Sequence, residues 1–299
     1  MERKLIDISH ITGDTSIPTA MKLWEMYLVD QDKSPYTIKA FMGDLRLLAK
    51  FLPPDATISS VTQADLNRFI EWLENGRGKD IPCSPKSLSR RVTTLKSFFR
   101  WLFDHKRIEV DPAEKVLQKT VISPLPEVLS DDELGKVYAA AREEWLGEKK
   151  DPRPLALLSL LLESGIKKSE CLNIKLPHIE TRNGNYLFVR YADGRDRNKE
   201  RKIPLSIDFV EVYQAYLEKY QPQENAFPWS PRRLEYLLED ISTSANIEKH
   251  LSFSMCRWNS ALIDWKNGQD KDAIRQKLGI SKIQWREISM KLEKLAASD

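Results

Sequence analysis

Cysteine, histidine and long apolar runs are all scarce in this 299-residue chain. Its three cysteines, Cys83, Cys171 and Cys256, lie far apart and show no Cys-x-x-Cys or Cys/His pairing. That spacing argues against a zinc site, so no metal is expected; buried, reduced thiols in a cytoplasmic protein are the expectation instead. The longest apolar run, Leu155 to Leu162, is broken by Ser159 and is too short to span a bilayer, and the opening MERKLIDISH has no apolar signal core. A membrane location is therefore not expected. The sequence has no internal repeat or low-complexity tract, and no cofactor is expected. Net charge is only +3, so the overall balance says little about partners and the distribution of charge matters more. Beyond His250 there is neither a tyrosine nor a histidine, which removes phenol and imidazole chemistry from that stretch.

What is present is ample core material. Hydrophobic residues make up 41% of the chain and include eight Trp, which supports real cores, and the length suggests about two domains. Charged residues reach 30%, so the surface is expected to be heavily ionic.

Residues 1–15 read as a polar lead-in, and a first helical domain is expected over 16–113. Within it, 17–29 puts Met21, Trp24, Tyr27 and Leu28 on one helical face. Ser34-Pro35 and Ser84-Pro85 each read as an N-cap followed by proline at the first helical position. A further helix follows Thr62 and ends at Gly76 and Gly78. Residues 114–126, with Pro124 and Pro126, read as a linker, and a second domain is expected over 127–299. It opens on Ser130 with acids in the first helical turn and continues into the apolar helix 153–163. Short strands alternate through Tyr186–Tyr191 and Lys202–Leu205, after the turn Asn183-Gly184-Asn185. Beyond Ile207 the pattern is helical. The fold class expected is mainly α with a small β-hairpin sheet.

Two basic clusters stand out. On the helix starting at Ser84-Pro85, Lys86, Arg90, Arg91, Thr94, Lys96 and Arg100 fall largely off the apolar stripe of Leu88, Val92, Leu95, Phe98, Phe99 and Leu102. Such a helix tracks phosphates, or is simply a solvated basic face. The second cluster, Arg195, Arg197, Lys199, Arg201 and Lys202, decorates the hairpin. The last helix carries Trp285, Ile288, Leu292 and Leu295 at helical spacing, an apolar seam.

The stretches SLSRRVTTLKSFFRWL, Asp111-Pro112-Ala113, PLPEVLSDDEL, ESGIKKSECLNIK, NKERKIPL, HLSFSMCRWNSAL and KLGISKIQWREIS occur in an order that resembles the phage-integrase and Xer-type tyrosine recombinases. The resemblance implies an N-terminal four-helix SAM-like core-binding domain and a C-terminal tyrosine-recombinase catalytic-type domain, closing as a C-shaped clamp on double-stranded DNA. It also implies a set of active-site positions. The first arginine falls at Lys167, which keeps charge but loses the planar fork, and which is equally compatible with ordinary solvated surface. The hairpin lysine falls at Arg195 or Asp196, with the alignment ambiguous by one residue. A histidine falls at Ser254, the following arginine is kept as Arg257, a histidine or tryptophan falls at Ile280, and the nucleophilic tyrosine at Ser289. A serine without an adjacent base is a poor nucleophile, and Tyr236, the nearest tyrosine in sequence, precedes Arg257 and so is out of order.

Three readings follow. The first is a duplex-DNA-binding protein, nucleoid-associated, that has lost strand cleavage and acts as repressor, accessory or architectural factor. The second is an active but divergent recombinase. The third is a protein-interaction module. Arg257 belongs to the expected DNA-contacting set, together with the two basic clusters. The C-terminal seam packs on its own domain or, as in related recombinases, supports a homo-oligomer; an intact recombinase is the other protein partner considered.

Overall fold

The computed structural model describes residues 10–78, 82–119 and 124–297. The chain divides into two compact units, Met1–Ser123 and Pro124–Asp299. No helix among the described residues is long and apolar enough to cross a membrane.

The first unit is built on α1 (Ile17–Asp30), α2 (Pro35–Phe51), α3 (Gln63–Glu74) and α4 (Pro85–Asp104). The starts of these helices follow from local chemistry. Ser16, Ser34 and Ser84 each accept a hydrogen bond from the backbone N–H three residues on, ahead of an early proline. Thr62 and Asp65 form a reciprocal capping box at α3. The apolar faces converge on a core centred on Trp24, Leu45, Phe69, Phe98 and Phe99, each at most 1% exposed. Trp24 stacks on Phe41 at 5.5 Å and meets Phe98 edge-on at 5.3 Å, geometries that favour aromatic pairs. Burial of each large apolar side chain contributes about 1.5–3 kcal/mol. Gly43 breaks the pattern: it lies inside α2, yet apart from its own helix backbone and chain neighbours no atom of the described residues comes within 4 Å of where its Cβ would stand. Glycine there costs about 1 kcal/mol relative to alanine, and no internal packing compensates.

The second unit surrounds α6 (Arg153–Ser164), which is buried at nearly every position. It packs against α5 (Asp131–Leu146), α8 (Ile207–Tyr220) and α10 (Phe253–Lys266), with α9 (Pro231–Ser244) beside α5. A short helix, α7 (Lys168–Leu172), follows the left-handed Gly165. Both α7 and a short first strand are additions to the sequence expectation. The sheet is antiparallel with three strands in the order β1 (Ile179–Glu180), β2 (Tyr186–Val189) and β3 (Arg201–Pro204). Leu187 pairs with Ile203 and Phe188 with Lys202, so Leu187, Val189 and Ile203 face the core. On the outer face Lys202 sits 3.5 Å from the Tyr186 ring centroid and Arg190 4.5 Å from that of Phe188.

A separate apolar cluster joins α10 to α11 (Lys271–Lys277) and α12 (Lys282–Ala296) through Leu262, Ile274, Leu278, Ile280, Leu292 and Leu295. Trp285 and Ile288 are half-buried against it. The C-terminal seam therefore packs within its own unit.

Candidate functional site

Gly165 ends α6 in the left-handed conformation, and its turn delivers Lys167 to the start of α7. Ser252 caps α10 and sends Ser254 and Arg257 along the first turns of that helix. Together they line a cavity of about 400 Å³ with Lys168, Glu235 and His250. Lys167 is half-buried, which removes the reading of it as an ordinary solvated charge. Burial lowers its pKa, and Arg257, Arg201 and Lys199 lower it further, while Glu170 acts in the opposite sense. Burial likewise lowers Arg257 to about 10, which leaves it cationic at neutral pH. Two of the five guanidinium N–H groups of Arg257 already donate to backbone carbonyls: one to Gly165, the other to Leu278 at 2.6 Å. The pocket is thus a half-buried cationic recess, held at its floor by Arg257, in which an anion would offset the crowding of like charge. His250 was not read from the sequence as a site residue. Its one signal was that it lies four residues before Ser254, within reach of the α10 start.

Beside this recess lies a buried ion pair. Arg201 grips both oxygens of Glu170 at 2.9 Å, and its Nε donates to the Lys277 carbonyl at 2.6 Å. The two side chains are 8% and 1% exposed. The Lys167 backbone N–H donates to Glu170 at 2.7 Å, and the Tyr191 hydroxyl donates to it as well. Burial alone would raise the Glu170 carboxyl, but these donors prevail and hold it at about 2. Arg201 is therefore corrected from the DNA-contacting set: its guanidinium is enclosed by its own unit. Gly279 admits this packing, because a Cβ there would stand 2.6 Å from Arg201 Nη1.

The other expected positions do not converge on the recess. Ile280 is buried in the α10–α12 cluster. Ser289 lies on α12 outside the cavity lining, and its hydroxyl donates back to the Arg286 carbonyl at 3.2 Å. Tyr236 lines none of the cavity; its hydroxyl accepts from Arg232 at 2.6 Å. Asp196 pairs with Lys199 at 2.5 Å, and Arg197 is exposed. The Arg195 side chain lies outside the described residues. Among the described residues no cluster of metal-ligating side chains occurs. No hydrogen bond joins Ser254 to His250 among those residues either, so the recess gathers cations without a paired nucleophile and base.

In the first unit, the α4 stripe is redistributed by a residue of α2. Asp44 is 2% exposed and receives Arg90 through both oxygens, Arg91 at 3.3 Å and the Thr94 hydroxyl at 2.8 Å. Thr94 is fully buried and the Arg91 side chain is 14% exposed, with its Nη1 also donating to Cys83 Sγ at 2.7 Å. Both leave the DNA-contacting set, since their donors face inward. Arg90 remains 41% exposed at the edge of this cluster. Lys86 is exposed, Lys96 reaches the Glu114 carbonyl at 3.4 Å, and Arg100 pairs with Asp104 at 3.2 Å while 57% exposed. The helix starting at Ser34, which the family resemblance also places along a duplex, is α2. Tyr36, Lys39, Gly43, Arg46 and Lys50 recur every three to four residues, and the three cations are exposed with no ion pair among the described residues. The individual residues of this face were not named from the sequence, where the denser charge of α4 took precedence. A larger cleft in this unit, about 1230 Å³, is lined by both signs of charge, including Lys106, Arg107, Asp104 and Glu109, and so has no evident preference.

A four-helix unit followed by a helical unit with a three-stranded sheet, carrying cations at the α7 turn and on α10, defines an integrase-type architecture. Comparison with known families agrees: residues 21–106 match the phage integrase N-terminal SAM-like domain and residues 127–288 match the phage integrase family. The chain belongs to the phage integrase family. It is similar to tyrosine recombinase XerC of Pediococcus pentosaceus, 26% identical over 282 residues that cover 88% of this chain and 90% of that protein. It is 25% identical to tyrosine recombinase XerD of Listeria innocua, covering 91% of this chain and 93% of that one. With XerC of Oceanobacillus iheyensis identity is 32% over 199 residues, 65% of this chain and 60% of that protein's length. Among solved structures, a lambda integrase dimer bound to a COC' core site shares the fold at TM-score 0.71 and 16% identity, covering 94% of this chain and 79% of that one. XerH site-specific recombinase in a post-cleavage complex with palindromic difH substrate shares it at TM-score 0.71 and 16% identity, covering 95% and 84%.

Proposed function

We propose that this protein binds double-stranded DNA on a tyrosine-recombinase scaffold and has lost strand cleavage, acting as a repressor, accessory or architectural factor. The observation that carries this reading is the separation of the cationic recess from any competent nucleophile. Lys167 and Arg257 line the recess, while Ser289, at the position the family gives its tyrosine, is turned back onto its own helix. In the first unit the α2 cations, which have no ion pair among the described residues, and the exposed Lys86 offer contacts to phosphates, and in the second unit the exposed Arg197 does. A duplex ligand would keep the protein with the nucleoid. A homo-oligomer or a complex with an intact recombinase is the form in which such a binder would act, as the lambda integrase dimer on its core site suggests by analogy. Purified protein is expected to retard a short duplex at low salt, with affinity falling steeply as salt rises. No retardation at low salt would end the DNA-binding reading.

A second reading, an active divergent recombinase, is favoured by the recombinases among the relatives, and the phenol nearest the recess weighs against it. Tyr191 donates to Glu170 and bears electrostatically on Arg257. Burial and then the Glu170 contact raise Tyr191 to about 12, and a carboxylate held at about 2 is too weak a base to deprotonate it. Trapping on a nicked duplex separates the two readings: a covalent protein–DNA band lost in Tyr191→Phe would establish the second.

A further inference from the structure

The α7 turn places two lysines side by side, Lys167 and Lys168, and both line the recess of about 400 Å³. Their surroundings differ. Lys168 pairs with Glu235 at 2.6 Å in an open setting. Lys167 is half-buried, and its Nζ has no hydrogen bond or ion pair among the described residues. Glu170, the acid that acts on it, is already committed. Arg201 holds both of its oxygens at 2.9 Å, and the Tyr191 hydroxyl and the Lys167 backbone N–H also donate to it. Burial lowers the Lys167 pKa from its ordinary 10.5; Glu170 acts against this, while Arg257, Arg201 and Lys199 lower it further. An amine in such a place is a nucleophile, because burial and neighbouring cations free the lone pair that a proton otherwise occupies. An arginine here would lack this chemistry, since a guanidinium keeps its proton near neutral pH.

The rest of the recess suits an anion. Arg257 has committed two of its five N–H groups to the Gly165 and Leu278 carbonyls. His250 lines the same cavity, and the 14-residue α10 begins in its wall at Ser252, Phe253 and Ser254, where a helix start favours negative charge. The volume is that of a small-ligand pocket, with room for one phosphorylated sugar. A free amine beside an anion cradle is complementary to a molecule that carries a carbonyl and a phosphate ester together. We propose that Lys167 captures phosphorylated aldehydes as imines, with Arg257 and the start of α10 holding the phosphate. The Nζ lone pair forms a bond to the carbonyl carbon, the carbon–oxygen bond breaks, and the oxygen leaves as water with the two amine protons. No oxidant or reductant is consumed. Two sources supply this chemistry: a free phosphorylated aldehyde, or the ring-opened sugar at an abasic position of DNA, whose aldehyde lies beside backbone phosphates. The site goes beyond duplex binding, because the first source does not require it.

The test incubates the full chain separately with pyridoxal phosphate, with pyridoxal, and with a duplex carrying one abasic position. Borohydride is added to each, to reduce an imine to a stable secondary amine, and peptide mass spectrometry locates the adduct. The expected adduct is on Lys167 and not on Lys168, and whether pyridoxal phosphate, the abasic duplex or both produce it identifies the source. Pyridoxal, which lacks the phosphate, is expected to label about tenfold less than pyridoxal phosphate. Lys167→Arg, which keeps the charge, is expected to lower the yield at least about tenfold. Labelling of Lys167 should reach its half-maximum at lower pH than labelling of exposed lysines in the same chain, as its lowered pKa requires. An adduct spread over exposed lysines, an adduct on Lys168 instead, or none with either phosphorylated probe overturns the assignment. The mapping uses the wild-type chain, so it stands even where the variant fails to fold. Failure to retard an intact duplex would end the duplex-binding reading and leave the pyridoxal phosphate result to decide this one.

Discussion

Each unit contains a buried carboxylate paired with arginine, two arginines at Asp44 and one at Glu170, and the two units differ in what is left over. In the first unit Asp44 draws Arg90, Arg91 and Thr94 of α4 inward, yet Arg90 stays 41% exposed and the adjacent α2 keeps its cations in solvent. In the second unit Glu170 encloses Arg201 almost completely, and the cations of the neighbouring recess, Lys167 and Arg257, are themselves half-buried with lowered pKa values. A basic residue in the sequence is therefore not yet a basic surface. What decides is whether an acid from another element reaches it first, and how far the pair is then removed from water.

The comparison can be broken by deleting each carboxylate. Glu170→Ala leaves the buried Arg201 charge without a partner, with an expected loss of about 3–5 kcal/mol in unfolding free energy of the second unit. Asp44→Ala strands Arg90, which is already 41% exposed and can rotate into water, while Arg91 keeps its bond to Cys83, so the expected loss is smaller, about 1–3 kcal/mol in the first unit. Urea unfolding followed by tryptophan fluorescence measures both; equal losses would mean that exposure of the arginine does not control the cost.

Acid distinguishes the pair further. Glu170 in the folded chain sits at about 2, below its ordinary 4.5. Its stabilisation is thus complete above about 4.5 and is lost as pH falls from there towards about 2. Glu170→Gln should be less stable at neutral pH and should lack this part of the acid dependence. An unchanged acid limb in that variant would mean that other carboxylates govern it. The smallest effect expected is at Ser260, whose buried hydroxyl has no hydrogen-bond partner among the described residues. Ser260→Ala should change stability by no more than about 1 kcal/mol, towards gain, because no bond is lost and an unsatisfied group is removed.

Helix starts were the most legible part of the fold. Ser34-Pro35, Thr62, Ser84-Pro85 and Ser130 each carry their signal within four residues, and each caps a helix. The two-residue β1 and five-residue α7 were missed because neither is long enough to show a period. Of the candidate site, Lys167, Ser254 and Arg257 do meet, since the α7 turn and the α10 start are local features with their own caps. The fate of the arginines was not legible. Asp44 lies 46 residues from Arg90 and Glu170 lies 31 from Arg201, and nothing local to either arginine names its acid. His250 and the α2 cations were hidden for a related reason: their role depends on which faces remain open after packing.

The most direct test incubates purified protein with a nicked duplex that contains its binding site, then divides the sample between native and denaturing gels. A retarded native complex that dissociates fully under denaturation is the predicted result. A denaturation-resistant band, with the strand end linked to a tyrosine, would contradict it.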